Sequence, residues 1–250
     1  MVYLREPSEI DLIREAAQVV GRTLRMLREH VRPGITTAEL DRIAEAYIRS
    51  QGAEPAFKGY RGFPASICPS VNEQVVHAIP GGTKLKEGDI IGLDVGVRKN
   101  GYYGDAAVTY PVGAIDAEAQ KLLDVTRESL AAGIAQARPG NRVGDIGHAV
   151  QAVAEANGFS VVRTLVGHGI GREMHEEPQV PNYGQPARGP RLLAGQVIAI
   201  EPMVNIGGPD VVTGKDGWTV LTRDGLRSAH FEHTVAIGPD GPEILSQVED

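Results

Sequence analysis

Two stretches of this 250-residue chain repeat one another, and no other feature limits the fold as severely. Leu85-Lys86-Glu87-Gly88-Asp89-Ile90-Ile91-Gly92-Leu93-Asp94 aligns without a gap on Leu192-Leu193-Ala194-Gly195-Gln196-Val197-Ile198-Ala199-Ile200-Glu201, so position 94 falls on position 201 at an offset of 107. Each copy is an apolar, strand-like run that ends on an acid. Asp105-Ala106-Ala107-Val108-Thr109 resembles Glu232-His233-Thr234-Val235-Ala236, and His77-Ala78-Ile79 resembles His168-Gly169-Ile170. A period this long is far beyond that of solenoid repeats. It implies two related halves, about 8–112 and 116–238, joined in a pseudo-twofold arrangement within a single domain spanning 1–250.

The local patterns of the two halves agree. Ile10, Ile13, Ala17, Val20, Leu24 and Leu27 recur at helical spacing, which predicts a helix from Ser8 as N-cap to about His30, stopped by Pro33-Gly34. Thr36 followed by Glu39 reads as a capping box that opens a second helix ending near Gly52. Asp89–Val97 and Tyr102–Val112, separated by Lys99-Asn100-Gly101, predict a long antiparallel hairpin with Asp94 and Asp105 on facing strands. Helices are expected again over about 118–137 and 143–157, broken by Pro139-Gly140, and strands over the remainder. Two helices thus precede a hairpin in each half.

Composition removes several function classes. A net charge of −7 and a pI near 5.5 oppose a basic face for nucleic acid or anionic lipid. Cys68 is the only cysteine, which excludes intrachain disulfides and a cysteine-rich zinc site and points to the reducing cytoplasm. The amino terminus lacks a basic-then-apolar signal, and no apolar run reaches the roughly 20 residues of a membrane span. Glycines around His168 do not form a phosphate loop, and no Gly-x-Ser-x-Gly elbow is present.

What remains is an acidic constellation. A lone aspartate near a strand end is an ordinary polar residue, but Asp94, Asp105, Glu201 and Glu232 occupy related positions beside apolar runs that face a core. Four converging carboxylates repel one another unless cations compensate them, and with one imidazole they form an oxygen-rich set suited to two divalent ions. His168 and His175 lie in a glycine-rich turn where helix packing does not explain them, and a role in the site is expected of both. His30, His148, His230 and His233 have no such context and are assigned no role.

These motifs resemble those of the pita-bread metallopeptidases, a family that includes methionine aminopeptidases, proline-directed aminopeptidases, prolidases and creatinase. The resemblance is most specific to the type I methionine aminopeptidases. It rests on Asn72-Glu73-Gln74-Val75-Val76-His77-Ala78-Ile79-Pro80, Leu93-Asp94-Val95-Gly96 with Gly104-Asp105, Gly167-His168-Gly169-Ile170-Gly171, His175-Glu176-Glu177-Pro178, Ile200-Glu201-Pro202 and Phe231-Glu232-His233-Thr234, in the family's order along nearly the whole chain. The fold it implies is α+β: a pseudo-twofold repeat with a curved antiparallel sheet backed by two pairs of helices.

The resemblance further implies that Asp94, Asp105, His168, Glu201 and Glu232 ligate two divalent ions (cobalt, manganese, iron, zinc or nickel), with Asp105 and Glu232 bridging. Glu201 would shuttle a proton, His175 steady the developing oxyanion, and His77 contact the substrate amide. Tyr60, Phe63, Cys68 and Trp218 are expected around a methionine pocket whose shape depends on Met174, where bacterial relatives often carry phenylalanine. The implied reaction is removal of the initiator methionine from nascent polypeptides with a small second residue. A cytoplasmic monomer in transient proximity to the ribosome is expected. The short interval from Glu201 to Glu232 leaves no room for the type II helical insertion, and no basic or zinc-binding amino-terminal extension is seen. The alternatives are a proline-directed aminopeptidase of the same fold, disfavoured because those relatives usually carry a preceding domain, and a binding module that has lost catalysis.

Overall fold

A computed structural model describes residues 2–247. The first half opens with α1 (Pro7–Arg28) and α2 (Thr37–Ser50), then the short strands β1 (Glu54–Pro55), β2 (Cys68–Val71) and β3 (Gln74–Val76) and the long pair β4 (Ile90–Lys99) and β5 (Tyr102–Pro111). The second half runs α3 (Ala117–Ala135), α4 (Val143–Ala156), β6 (Ser160–Val161), β7 (Gly167–Gly169), β8 (Glu176–Val180), β9 (Val197–Ile200), β10 (Met203–Asn205), β11 (Val211–Thr213), β12 (Val220–Thr222), β13 (Ser228–His230), β14 (Glu232–Gly238) and β15 (Gly241–Ile244).

The helices form where the apolar spacing placed them, with one correction at the start. Pro7 takes the first helical turn, where its fixed φ is already suitable and its missing N–H costs nothing. The helix therefore opens ahead of Ser8: Glu6 is the N-cap, and the Glu9 carboxylate accepts from the Glu6 N–H at 3.1 Å. The Thr36 box forms as expected, with Glu39 N–H donating to Thr36 Oγ1 at 3.2 Å and Thr36 N–H to Glu39 Oε2 at 2.8 Å. In α3, Asp116 Oδ1 accepts from Ala119 N–H at 2.8 Å.

One antiparallel sheet carries the order β1-β4-β5-β14-β9-β7-β8, with β2 beside β4 and β15 beside β14. Asn100 (φ 51°) and Gly101 (φ 82°) both adopt positive φ, as a type I′ turn requires, and close the β4–β5 hairpin in unbroken register from Ile90↔Pro111 to Lys99↔Tyr102. The halves meet between β5 and β14, where the paired residues are Glu232↔Ala107 and His233↔Ala106. Threonine hydroxyls clasp this seam on both sides. Thr234 Oγ1 donates to Asp105 C=O at 2.7 Å and accepts from Asp105 N–H at 3.0 Å, and Thr109 Oγ1 does the same for His230 at 2.8 and 2.9 Å.

Each half buries its own helix pair on the sheet's outer face. Val19, Val20, Leu24 and Leu40 meet Leu93, Val95 and Ala106, while Leu122, Leu130, Ile146 and Val150 meet Ile198, Ile200 and Val235. Gly104 is required by this packing: a Cβ there would lie 2.5 Å from Ala17 N in the backbone of α1. Two small sheets, β13-β10-β6 and β11-β12-β3, flank the main one. No helix among the described residues is long and apolar enough to cross a membrane.

The pairing also corrects one part of the repeat. Ile91 and Ile198 are equivalent, and their partners on the neighbouring strands are Val71 and Gly169. The first-half residue matching Gly169 is thus Val71, which has no histidine beside it. His77 instead follows β3, which pairs with β12 of the second half. The similarity of His77-Ala78-Ile79 to His168-Gly169-Ile170 does not correspond to symmetry-related places.

Candidate metal centre

The inner face of the seam gathers the acids. Asp94 lies opposite Ala107 and Asp105 opposite Gly96, so the two carboxylates are diagonal neighbours on one face. His233 pairs with Ile200, and one further step sets Glu201 opposite Glu232. Asp105 and Glu232 sit at 4% and 2% exposure, and Asp94 and His168 are likewise buried. Desolvation raises Asp94 to about 7, and it lifts Asp105, Glu201 and Glu232 well above the carboxylate range, with neighbouring carboxylates adding to the rise.

Asp94 Oδ1, Asp105 Oδ1 and Glu232 Oε1 are buried without a hydrogen-bond partner. Orphaned carboxylate oxygens are costly unless a cation meets them. Asp105, His168 and Glu232 each offer a ligand atom within 4.8 Å of the others. His168 sharpens the point, because its Nδ1 lies 2.9 Å from Gly169 C=O and must be the donor there. Burial lowers its pKa to about 4, so the neutral ring turns the lone pair of Nε2 toward Asp105 Oδ2 at 3.9 Å and Glu201 Oε1 at 3.6 Å. A lone pair facing carboxylates repels them. A divalent ion between them reverses the sign, so the residues fit the metal that the sequence implied.

A cavity of about 150 Å³ leads to these groups. Phe63, Cys68 and Trp218 line it, with the rings of Phe63 and Trp218 edge to face at 5.2 Å. Cys68 pairs in register with Asp94, and burial raises its thiol well above the usual range, which leaves it an apolar wall and not a nucleophile. His77 and His175 stand at the rim. Tyr60 Oη lies 2.9 Å from His175 Nδ1 and its ring stacks on the imidazole at 5.3 Å, while His168 and His175 approach to 4.2 Å between ring centres. Desolvation, then the neighbouring His168 and Arg61, lower His175 to about 3 and keep it neutral near pH 7.

The loop carrying His175 is tied down by its neighbour. The Glu176 carboxylate accepts from the N–H groups of Arg172 and Glu173 at 2.9 and 3.1 Å and pairs with the buried guanidinium of Arg5. Met174 turns inward at 1% exposure and packs with Phe57 over Gly96, where a Cβ would lie 2.5 Å from the Phe57 ring.

All the candidate residues therefore surround one cavity, and the sequence reading missed three others. Phe57 and Arg61 line the same cavity. His230, assigned no role, is buried at 3% exposure with Nε2 3.7 Å from Glu201 Oε2 and 4.0 Å from Glu232 Oε2. The signal was present: His230 stands two residues before Glu232 in extended chain and so shares its face. His233 points to the opposite face, where its Nδ1 meets Ser246 Oγ at 2.8 Å.

Comparison with known proteins gives the family. The model of metallopeptidase family M24 matches residues 11–239. The methionine aminopeptidase of Clostridium perfringens is 57% identical over 100% of both chains, and methionine aminopeptidase 1 of Bacillus subtilis is 54% identical over 99% of this chain and 100% of its own. Among solved structures, the methionine aminopeptidase of Rickettsia prowazekii superposes with a TM-score of 0.98 at 42% identity, covering 99% of this chain and 100% of that one. The prolidase of Pyrococcus furiosus, at 21% identity and a TM-score of 0.81 over 99% of this chain and 66% of its own, shares the fold. A family match over residues 11–239, lying on a fold whose two halves converge their acids at one seam, places this chain in metallopeptidase family M24.

Proposed function

We propose that this chain is a methionine aminopeptidase that removes the initiator methionine from nascent polypeptides with a small second residue. Asp94, Asp105, His168, Glu201 and Glu232 would hold two divalent ions. Bound there, the ions supply Lewis acidity toward the scissile carbonyl and lower the pKa of the attacking water. Glu201, the most accessible of the four acids, is placed to take and return a proton. With Tyr60 donating to His175 Nδ1, the neutral His175 ring keeps Nε2–H for a developing oxyanion. His77 is positioned at the rim to meet the substrate amide. Phe63, Cys68, Trp218 and Tyr60 offer an apolar recess suited to an unbranched thioether side chain.

One observation carries this reading: buried carboxylates with unpartnered oxygens and a histidine lone pair converge at the end of an apolar cavity of about 150 Å³. The donor set, oxygen-rich with one imidazole, accepts manganese, iron, cobalt, nickel or zinc. We place the enzyme in the cytoplasm as a monomer working close to the ribosome, which suits its single buried cysteine. Hydrolysis of Met-Ala-Ser should disappear on chelation and return as each metal is restored separately. Activity that survives chelation, or a preference for a non-methionine first residue ahead of proline, would overturn the assignment.

A further inference from the structure

A fourth imidazole, His230, joins His77, His168 and His175 around the acids, and its surroundings are incomplete. The backbone of His230 is fixed at both its N–H and its C=O by the single hydroxyl of Thr109. Its side chain is buried, yet Nε2 has no hydrogen-bond partner. A rigid backbone aims the ring, and an unpaired buried nitrogen is costly unless it is used. Glu201 and Glu232 are the acids within 4.0 Å of that nitrogen, and Glu201 is the nearer at 3.7 Å. Glu201 is flanked on its other side by His168, whose Nε2 lies 3.6 Å from Oε1. Its two oxygens therefore face two different imidazoles.

We propose that His230 is a positioning residue that donates from Nε2–H to Glu201 Oε2, leaving Oε1 beside His168 free for a cation. This rests on the reading of Glu201 as a ligand and proton carrier, and it adds what sets that carboxylate's rotation. Closing the gap from 3.7 Å to hydrogen-bond distance takes under about 1 Å of Glu201 side-chain rotation. The held oxygen gains a donor that stays in place whether or not the carboxylate carries a proton. Hydrogen bonds that orient a ligand in this way typically govern about 10–100-fold in metal affinity or activity.

The test compares His230→Gln, whose amide keeps an N–H at similar reach, with His230→Asn, whose amide is too short, and with His230→Leu. Metal-stripped protein is titrated with Mn2+ and Co2+ by calorimetry at fixed pH, the Co2+ absorption spectrum is recorded, and Met-Ala-Ser kinetics are measured. Expected are about 10–100-fold weaker cation binding and lower kcat at unchanged KM for His230→Asn and His230→Leu, with near-normal values and an unaltered Co2+ spectrum for His230→Gln. In a Glu201→Gln background, His230→Leu should cause no further loss of cation affinity, because the effect passes through that carboxylate. Should His230→Leu fail to fold, the contrast between His230→Gln and His230→Asn decides the question alone. A changed Co2+ spectrum in His230→Gln would make His230 a ligand, and unaltered affinity in His230→Asn would make it a packing residue; either overturns the proposal. Absence of divalent-cation binding by the unmutated chain would instead overturn the metallopeptidase reading beneath it.

Discussion

The two halves build the same frame and close it differently. In the first, β4 and β5 form one uninterrupted hairpin, so Asp94 and Asp105 are fixed by a two-residue turn. In the second, the equivalent strands β9 and β14 are separated by the residues that form β10 to β13, and Trp218 of the pocket lies in that interval. The pairing differs as well: Asp94 sits diagonal to Asp105, whereas the continued register sets Glu201 directly opposite Glu232. That is a slip of two residues. An even slip leaves both acids on the inner face, whereas a slip of one would turn an acid into the core. The halves can diverge in connection and register as long as parity holds, and the longer second-half connection contributes Trp218 to the cavity.

The strongest way to break this comparison is to neutralise one acid from each half. Asp105→Asn and Glu232→Gln should each lower kcat/KM by about 10³-fold or more and reduce bound metal to a similar degree, because several kcal/mol of transition-state stabilisation are at stake. If either retained full metal content and activity, the halves would not share a site.

The positions just before those acids sharpen the comparison. Gly104 admits the α1 backbone, whereas its counterpart Phe231 fills the second core at 4% exposure. Phe231→Ala should cost about 3–5 kcal/mol by leaving a cavity. Gly104→Ala should cost about 1–3 kcal/mol by overpacking against Ala17. Urea denaturation of the two variants measures both, and equal values would show that the two slots are packed alike.

A smaller effect follows pH in the metal-stripped protein. Burial raises Asp94 from 3.8 to about 7, so between those values the folded state keeps a proton that the unfolded chain releases. Stability should therefore fall as pH rises through that window, by up to a few kcal/mol, and the ions should restore more of it at pH 8 than at pH 5. Thermal melts of stripped and loaded protein check the sign; a stripped protein that gains stability across the window contradicts the burial argument. The smallest effect expected is that of Asn100→Ala, about 1 kcal/mol from a residue with positive φ in the first-half turn, with activity unchanged.

Much of this was legible in the chain because repetition and periodicity survive without coordinates. The gapless match of Asp94 to Glu201 exposed the acids, and the spacing of Ile13, Ala17, Val20 and Leu24 exposed the helix that backs them. What escaped depended on partners distant in sequence. Ser8 looked like a cap because a hydroxyl preceded an apolar run, but Pro7 could enter the first turn. His230 carries no signal as a single histidine, because its meaning comes from Glu232 two residues on and Thr109 across the seam. Arg5 gave no sign that it reaches Glu176, because nothing local links residues 171 positions apart.

Between β5 and β14 the paired positions are two, Glu232↔Ala107 and His233↔Ala106, against ten in the β4–β5 hairpin. So short a suture, stapled by two threonines, is reinforced by β3 pairing with β12, by Arg5 reaching Glu176 and by apolar clusters drawn from both halves. Cations at that junction would act as rivets added to these ties, joining acids that each lobe contributes.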